Sequence, residues 1–142
     1  MPVIRRGEAR DLEQVAAIQA ACPEAADWDV ADYLEHEFLV AVEGPGSGAT
    51  ITGFLVSRTV AQDEREILNL AVAPEFRRKQ VARGLLENFL KDLRGAVYLE
   101  VRESNSIAIQ FYSSMHFKEI SRRKNYYAEP LDAAIVMKFH SC

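Results

Sequence analysis

The chain has 142 residues, with 21 acidic and 17 basic side chains and a formal net charge of −4. That length holds one core and little more, so a single domain over residues 1–142 is expected. The acidic excess speaks against a general nucleic-acid binder, which needs cations to neutralise phosphates. Two cysteines, Cys22 and Cys142, argue against a disulfide framework. Charge arrives early in MPVIRRGEARDLEQ, before an apolar leader could build, and no apolar run nears the ~20 residues of a membrane span; a soluble cytoplasmic protein is expected.

In chain order, Val3 to Arg5 reads as a short strand, and Asp11 to Ala21 as a helix carrying Leu12, Val15, Ala16 and Ile18 at helical spacing. Pro23 ends that helix. A shorter one is expected from Asp29 through Leu34, capped by Asp27 or Asp29, with Trp28 at its entrance. Phe38–Val42 and Thr50–Val60 read as a hairpin about Gly44-Pro45-Gly46-Ser47-Gly48, a composition that suits a mobile connection. Ile67, Leu68, Leu70 and Val72 form a strand, Pro74 a turn, and Val81 to Leu93 a helix with apolar residues at 81, 85, 86, 89, 90 and 93. Ala96–Val101 is a strand. Ser104, Asn105 and Ser106 offer caps to a helix through Ile107, Ala108, Phe111, Tyr112 and Met115, and Ile120–Tyr127 and Ala133–Phe139 are extended. The order predicts an α/β (α+β) domain with a mixed, mostly antiparallel sheet of about seven strands flanked by about four helices.

Between strand and helix lies Arg77-Arg78-Lys79-Gln80-Val81-Ala82-Arg83. A helix start carries unpaired N–H groups and the positive end of a dipole, so a basic turn before it is an anion cradle by composition. Taken alone, the same cations are also compatible with a solvated turn. The wider segment decides: from Asn69 to Leu86 it resembles the acetyl-CoA-binding motif of the GNAT superfamily, whose core reads R/Q-x-x-G-x-G/A. Leu99 to Asn105, Ala108 and Phe111-Tyr112 resemble the next block of that family, which closes on Met115-His116-Phe117 where relatives carry Leu-Gly-Phe. The ending Arg123-Lys124-Asn125-Tyr126-Tyr127, followed by Asp132-Ala133 and Val136-Met137, is similar to the bacterial ribosomal-protein alanine N-acetyltransferase branch. The resemblance implies the GNAT fold and direct transfer of acetyl from acetyl-CoA to an amine, most specifically a protein N-terminus.

In that resemblance, Leu70, Ala71, Val72, Arg77, Arg78, Lys79, Gln80, Val81, Ala82, Arg83, Asn105 and Ala108 hold the cosubstrate, with Asn105 on its pantetheine arm. The resemblance also has the N–H of Val72 donate to the carbonyl oxygen. The motif's glycines are replaced by Gln80 and Ala82. A residue in helical conformation needs no glycine for its φ, so Gln80 is expected to be helical, to turn outward and to leave the cradle intact.

An α-amino group has a pKa near ~8, so a base is useful near neutral pH. Alternation in Val97-Tyr98-Leu99-Glu100-Val101-Arg102 sets Glu100 opposite the apolar members, and the resemblance makes it the base. Asn105, Ala108 and Tyr112 share one helical face, and the resemblance makes Tyr112 the acid that protonates the departing thiolate. Trp28, Asn69, Asn125, Tyr126 and Tyr127 are candidate substrate contacts, with Asp63, Glu64 and Glu66 as negative charge toward a basic peptide. His36, His116 and His140 have no ligand spacing, so no metal is expected. Two readings stand beside N-terminal acetylation: a GNAT enzyme acting on a small amine or lysine side chain, and a non-catalytic CoA-binding or interaction domain.

Overall fold

The computed structural model describes residues 3–44, 49–77, 80–128 and 131–141, and the side chains of all of these except Asn125, Ala128 and Leu131. The strands are β1 (Val3–Arg6), β2 (Glu37–Glu43), β3 (Thr50–Ala61), β4 (Glu64–Val72), β5 (Ala96–Arg102), β6 (Lys118–Ala128) and β7 (Leu131–His140). The α-helices are α1 (Leu12–Ala20), α2 (Val81–Leu90) and α3 (Ser106–Ser114), with 3-10 segments at Ala9–Asp11, Val30–Glu35 and Pro74–Phe76. The strand order is β1-β2-β3-β4-β5-β7-β6. The pairs β1–β2, β2–β3, β5–β7 and β6–β7 are antiparallel and β4–β5 is parallel, which makes the mixed sheet the sequence predicts.

Two expectations are corrected. The second helix forms as a six-residue 3-10 segment: Asp29 caps it, Oδ1 accepting from Ala31 N at 3.1 Å, and the backbone is extended again at His36. So short a piece tolerates the tighter coil. Helix α2 stops at Leu90, three residues early, and the chain enters β5 directly after Gly95. That glycine has φ +104°, and a Cβ there would lie 1.9 Å from the Asp63 carbonyl oxygen. The centre of the glycine-rich hairpin loop, 45–48, and Arg78 and Lys79 of the basic turn lie outside the described residues.

The chain divides into two compact units. The first comprises Met1–Arg58 and Ile67–Leu93. Val15 and Ile18 of α1, Tyr33, and Phe38, Val40 and Phe54 of β2 and β3 make its core. The Tyr33 ring centroid lies 5.7 Å from those of both Phe38 and Phe54. At Gly53 a Cβ would come within 2.9 Å of the Ala71 carbonyl oxygen and 3.0 Å of Val81 Cγ1, so the missing side chain is what lets α2 settle on the strands. Before α1, the buried carboxylate of Asp11 takes both Arg5 guanidinium nitrogens at 2.8 Å and the Glu8 N–H at 2.8 Å. Arg5 above all, with the Glu8 amide, holds that carboxyl below its usual range, against the opposing effect of burial.

The second unit comprises Thr59–Glu66 and Arg94–Cys142. Here Glu64, Arg65 and Glu66 of β4 pair with Ala96, Val97 and Tyr98. Strand β5 is held along its length by β7, which also carries β6. Phe117 packs between Tyr112 of α3, at 5.4 Å, and Phe139 of β7, at 5.5 Å between centroids.

Candidate active site

In the first unit, α2 begins at Val81, and its first helical bond runs from Gly84 N to Gln80 O at 2.9 Å. The N–H groups of Val81, Ala82 and Arg83 therefore precede the helical ladder, and the N-cap residue supplies no side-chain bond to them. Gln80, expected to be helical, instead adopts φ 65° and ψ 17°. This overturns the argument that position 80 needs no glycine: the glycine of the family motif matches a left-handed backbone, and Gln80 holds that angle despite its Cβ. The left-handed step also turns successive N–H groups to one side, a concave arrangement suited to oxyanions. These residues fit a pyrophosphate.

The cations are less free than composition suggests. Arg77 donates through Nη2 to Glu24 Oε1 at 2.6 Å and to Cys22 Sγ at 3.3 Å. Its pKa is raised, first by the contact with Cys22 and then by Glu24. Arg83 Nε lies 3.7 Å from Glu87 Oε2 one turn on. On β4, Ala71 is buried and Leu70 and Val72 are half-buried. The Val72 carbonyl accepts from Cys22 Sγ at 3.4 Å. Asn69, a candidate substrate contact, is 5% exposed, and its amide is taken up internally by Gln19, Tyr33 and the Ala26 carbonyl. Trp28 is 45% exposed.

In the second unit the alternation along β5 is realised: Val97, Leu99 and Val101 are buried, while Glu100 is exposed. Tyr112 is 8% exposed, and burial pushes its phenol well above the ordinary range. Asn105 caps α3, its Oδ1 accepting from Ala108 N at 3.2 Å, which sets Asn105, Ala108 and Tyr112 along one helix from its first turn. Asp132 of β7 accepts from Ser104 Oγ at 2.5 Å and so braces the turn that leads into this cap.

Further along, the Arg102 guanidinium lies 4.1 Å from the Tyr127 ring centroid, and Tyr126 and Tyr127 meet edge to face at 5.2 Å. Burial, and then the negative charge of Glu100, raise the Tyr127 phenol. Tyr126 is exposed, and the side chain of Asn125 is outside the described set. Asp63 lies in the turn between β3 and β4, and Glu64 and Glu66 are among the first residues of β4. Among the described residues no three His, Cys, Asp or Glu side chains gather as a metal-holding group, and no helix is long and apolar enough to cross a membrane.

Residue-by-residue reading of the sequence misses Gln19, Cys22, Glu24 and Tyr33, all of which bear on β4 or on the segment before the 3-10 turn. Gln19 left a trace, a polar residue beside the apolar Ile18, but its partners lie 9, 14 and 50 residues away.

Residues 8–117 match the acetyltransferase (GNAT) family model. A [ribosomal protein bS18]-alanine N-acetyltransferase of Salmonella typhimurium is 41% identical over 93 residues, 61% of this chain and 62% of the relative. The alignment thus spans less than two thirds of that relative's length. The crystal structure of the ribosomal-protein-S18-alanine N-acetyltransferase from Escherichia coli superposes with a TM-score of 0.81 at 27% identity, covering 100% of this chain and 96% of that one. Ard1 from Thermoplasma volcanium gives 0.84 at 29% identity over 97% and 96% of the two chains. A family match that takes in both the α2 cradle and β5 with α3 means that this chain belongs to the GNAT acetyltransferase family.

Proposed function

We propose that this protein is an acetyl-CoA-dependent N-acetyltransferase whose acceptor is the α-amino group of a protein N-terminus, with a ribosomal protein beginning in alanine as the preferred substrate and the cytoplasm as the place of action. The observation that carries this reading is the family motif seated at the uncapped start of α2, read together with the similarity to the bS18-alanine N-acetyltransferases. The same reading takes residues 1–142 as one catalytic domain.

Acetyl-CoA supplies an activated acyl group on a good leaving thiolate. The N–H groups of Val81, Ala82 and Arg83 hold its pyrophosphate, assisted by the positive charge of Arg77, Arg78 and Lys79. The backbone of Leu70, Ala71 and Val72, with Asn105 and Ala108, positions the pantetheine arm, and the Val72 N–H donates to the carbonyl oxygen as negative charge grows there. Glu100 accepts the proton of the incoming ammonium, leaving the amine free to attack. Tyr112 gives its proton to the sulfur as the C–S bond breaks and the C–N bond forms, and the second proton that the nitrogen sheds as the amide forms restores the phenol. Trp28, Tyr126 and Tyr127 contact the acceptor.

A panel of N-terminal peptides, small amines and lysine peptides, scored by release of free CoA, tests the reading. Turnover should be greatest on an alanine N-terminus, and Glu100→Gln and Tyr112→Phe should each lower kcat by about 10²–10⁴ with little change in thermal stability. Preference for a small amine or a lysine side chain would replace the acceptor assignment. CoA binding with no turnover on any amine would identify a non-catalytic domain.

A further inference from the structure

Three polar side chains meet deep in the first unit: Gln19 at the last turn of α1, Tyr33 in the 3-10 segment and Asn69 in β4, at 9%, 1% and 5% exposure. Gln19 Oε1 accepts from the Tyr33 hydroxyl and from Asn69 Nδ2, the latter at 3.2 Å. Gln19 Nε2 donates to the Trp28 carbonyl at 2.7 Å, and Asn69 Nδ2 to the Ala26 carbonyl at 2.9 Å. Asn69 Nδ2 also lies 3.1 Å from the Tyr33 hydroxyl, and Asn69 Oδ1 accepts from Leu70 N at 3.1 Å. Among the described residues no buried side-chain nitrogen or oxygen lacks a partner.

Burying three amide or hydroxyl groups is costly unless each is bonded, and apolar residues would fill the same space at lower cost. What the network adds is a hold on two main-chain carbonyls in the irregular stretch between α1 and the 3-10 segment. Two further ties fasten the same stretch: Cys22 Sγ to the Val72 carbonyl, and Glu24 to Arg77. The segment 22–28 is thus bound at separate points to β4 and to the turn that follows it. At the end of that segment the Trp28 carbonyl is held inward while its side chain remains 45% exposed.

We infer that Gln19, Tyr33 and Asn69 are positioning residues for acceptor recognition: they fix the backbone of 26–28 so that Trp28 offers its indole as a rigid apolar face to a small N-terminal side chain. The inference rests on the acetyltransferase reading above. One shared network holds both this segment and the strand bearing Leu70 to Val72, so acceptor-side geometry is set by groups that touch neither substrate. A rigid aromatic loses little conformational freedom on binding, which is the advantage of anchoring its backbone.

Trp28 is the sole tryptophan, so its fluorescence reports on this segment directly. The test compares wild type with Gln19→Met, which keeps the volume and removes both the donor and the acceptor of the amide, and with the milder Tyr33→Phe, which removes one hydroxyl. Each is first confirmed folded by thermal unfolding. KM for an alanine-N-terminal peptide should rise about three- to tenfold in Gln19→Met, while KM for acetyl-CoA stays within about twofold. Trp28 anisotropy should fall in the same variant, with Tyr33→Phe intermediate in both measures. Folded variants with unchanged acceptor KM and unchanged anisotropy overturn the inference, as does an equal loss toward both substrates. If the wild-type protein acetylates no peptide, the functional reading fails; the anisotropy then decides the hold on Trp28 by itself, and an unchanged value refutes it.

Discussion

Replacing Gln80 by glycine relieves a left-handed backbone angle without removing a hydrogen bond made among the described residues. Gln80 sits at φ 65° and ψ 17°, makes no capping bond and is exposed, so its side chain gives nothing back for the conformation it occupies. The left-handed region costs an L-residue roughly 1–2 kcal/mol. Glycine avoids that cost but brings a more flexible unfolded chain, an opposing effect of about 0.4–1 kcal/mol. The net expectation for Gln80→Gly is a gain of roughly 0.5–1 kcal/mol, or about 2–4 °C in Tm for a chain of this size. Gln80→Ala keeps the Cβ and should show no gain, which separates relief of the backbone angle from loss of the glutamine. Differential scanning calorimetry reads the stability, and titration calorimetry with acetyl-CoA reads the cradle, whose amides glycine leaves in place; affinity should be equal or higher. A glycine variant no more stable than the alanine variant would refute the strain argument. Severalfold weaker acetyl-CoA binding would show that the glutamine side chain is part of the site. His116, at φ 73° where relatives carry glycine, provides an independent repeat: His116→Gly should stabilise by a similar amount.

The reverse experiment is Gly53→Ala, where the added methyl would sit 2.9 Å from a backbone oxygen. A loss of about 1–3 kcal/mol is expected, read as a lower urea midpoint at unchanged m-value; an unchanged midpoint would mean that α2 is not seated by this contact. Stability should also fall with acid through Asp11. Because Arg5 and the Glu8 amide depress its folded pKa, its contribution is complete above the unfolded value near ~3.9 and is lost as the pH drops through the folded one. Urea unfolding between about pH 6 and pH 2 should therefore decline more steeply for wild type than for Asp11→Asn, and parallel curves would contradict the assignment.

Element type was legible wherever periodicity was strong. The alternation along Ala96–Arg102 and the apolar stripe of α2 each reflect a single burial direction, and both elements form where the pattern runs. Ends were less legible. Helix α2 ends at Leu90, short of its apolar pattern, and the glycine that precedes β5 approaches Asp63, a contact between residues 32 apart in sequence that no local pattern encodes. The 3-10 segment at Val30–Glu35 was readable as a capped helical turn, but not its tighter coil.

The candidate site divides along the same line. Sequence alone determined the family motif around Gln80, the core-facing alternation that leaves Glu100 exposed, and the cap that starts the helix carrying Tyr112, because each depends on near neighbours along the chain. Tertiary structure alone decided that position 80 is left-handed, that Arg77 is engaged by Glu24 and Cys22, and that Asn69 is buried with Gln19 and Tyr33 instead of facing a substrate. The last two outcomes rest on partners 36 to 55 residues apart, and a polar side chain's role is settled by what saturates its hydrogen bonds once the chain has closed.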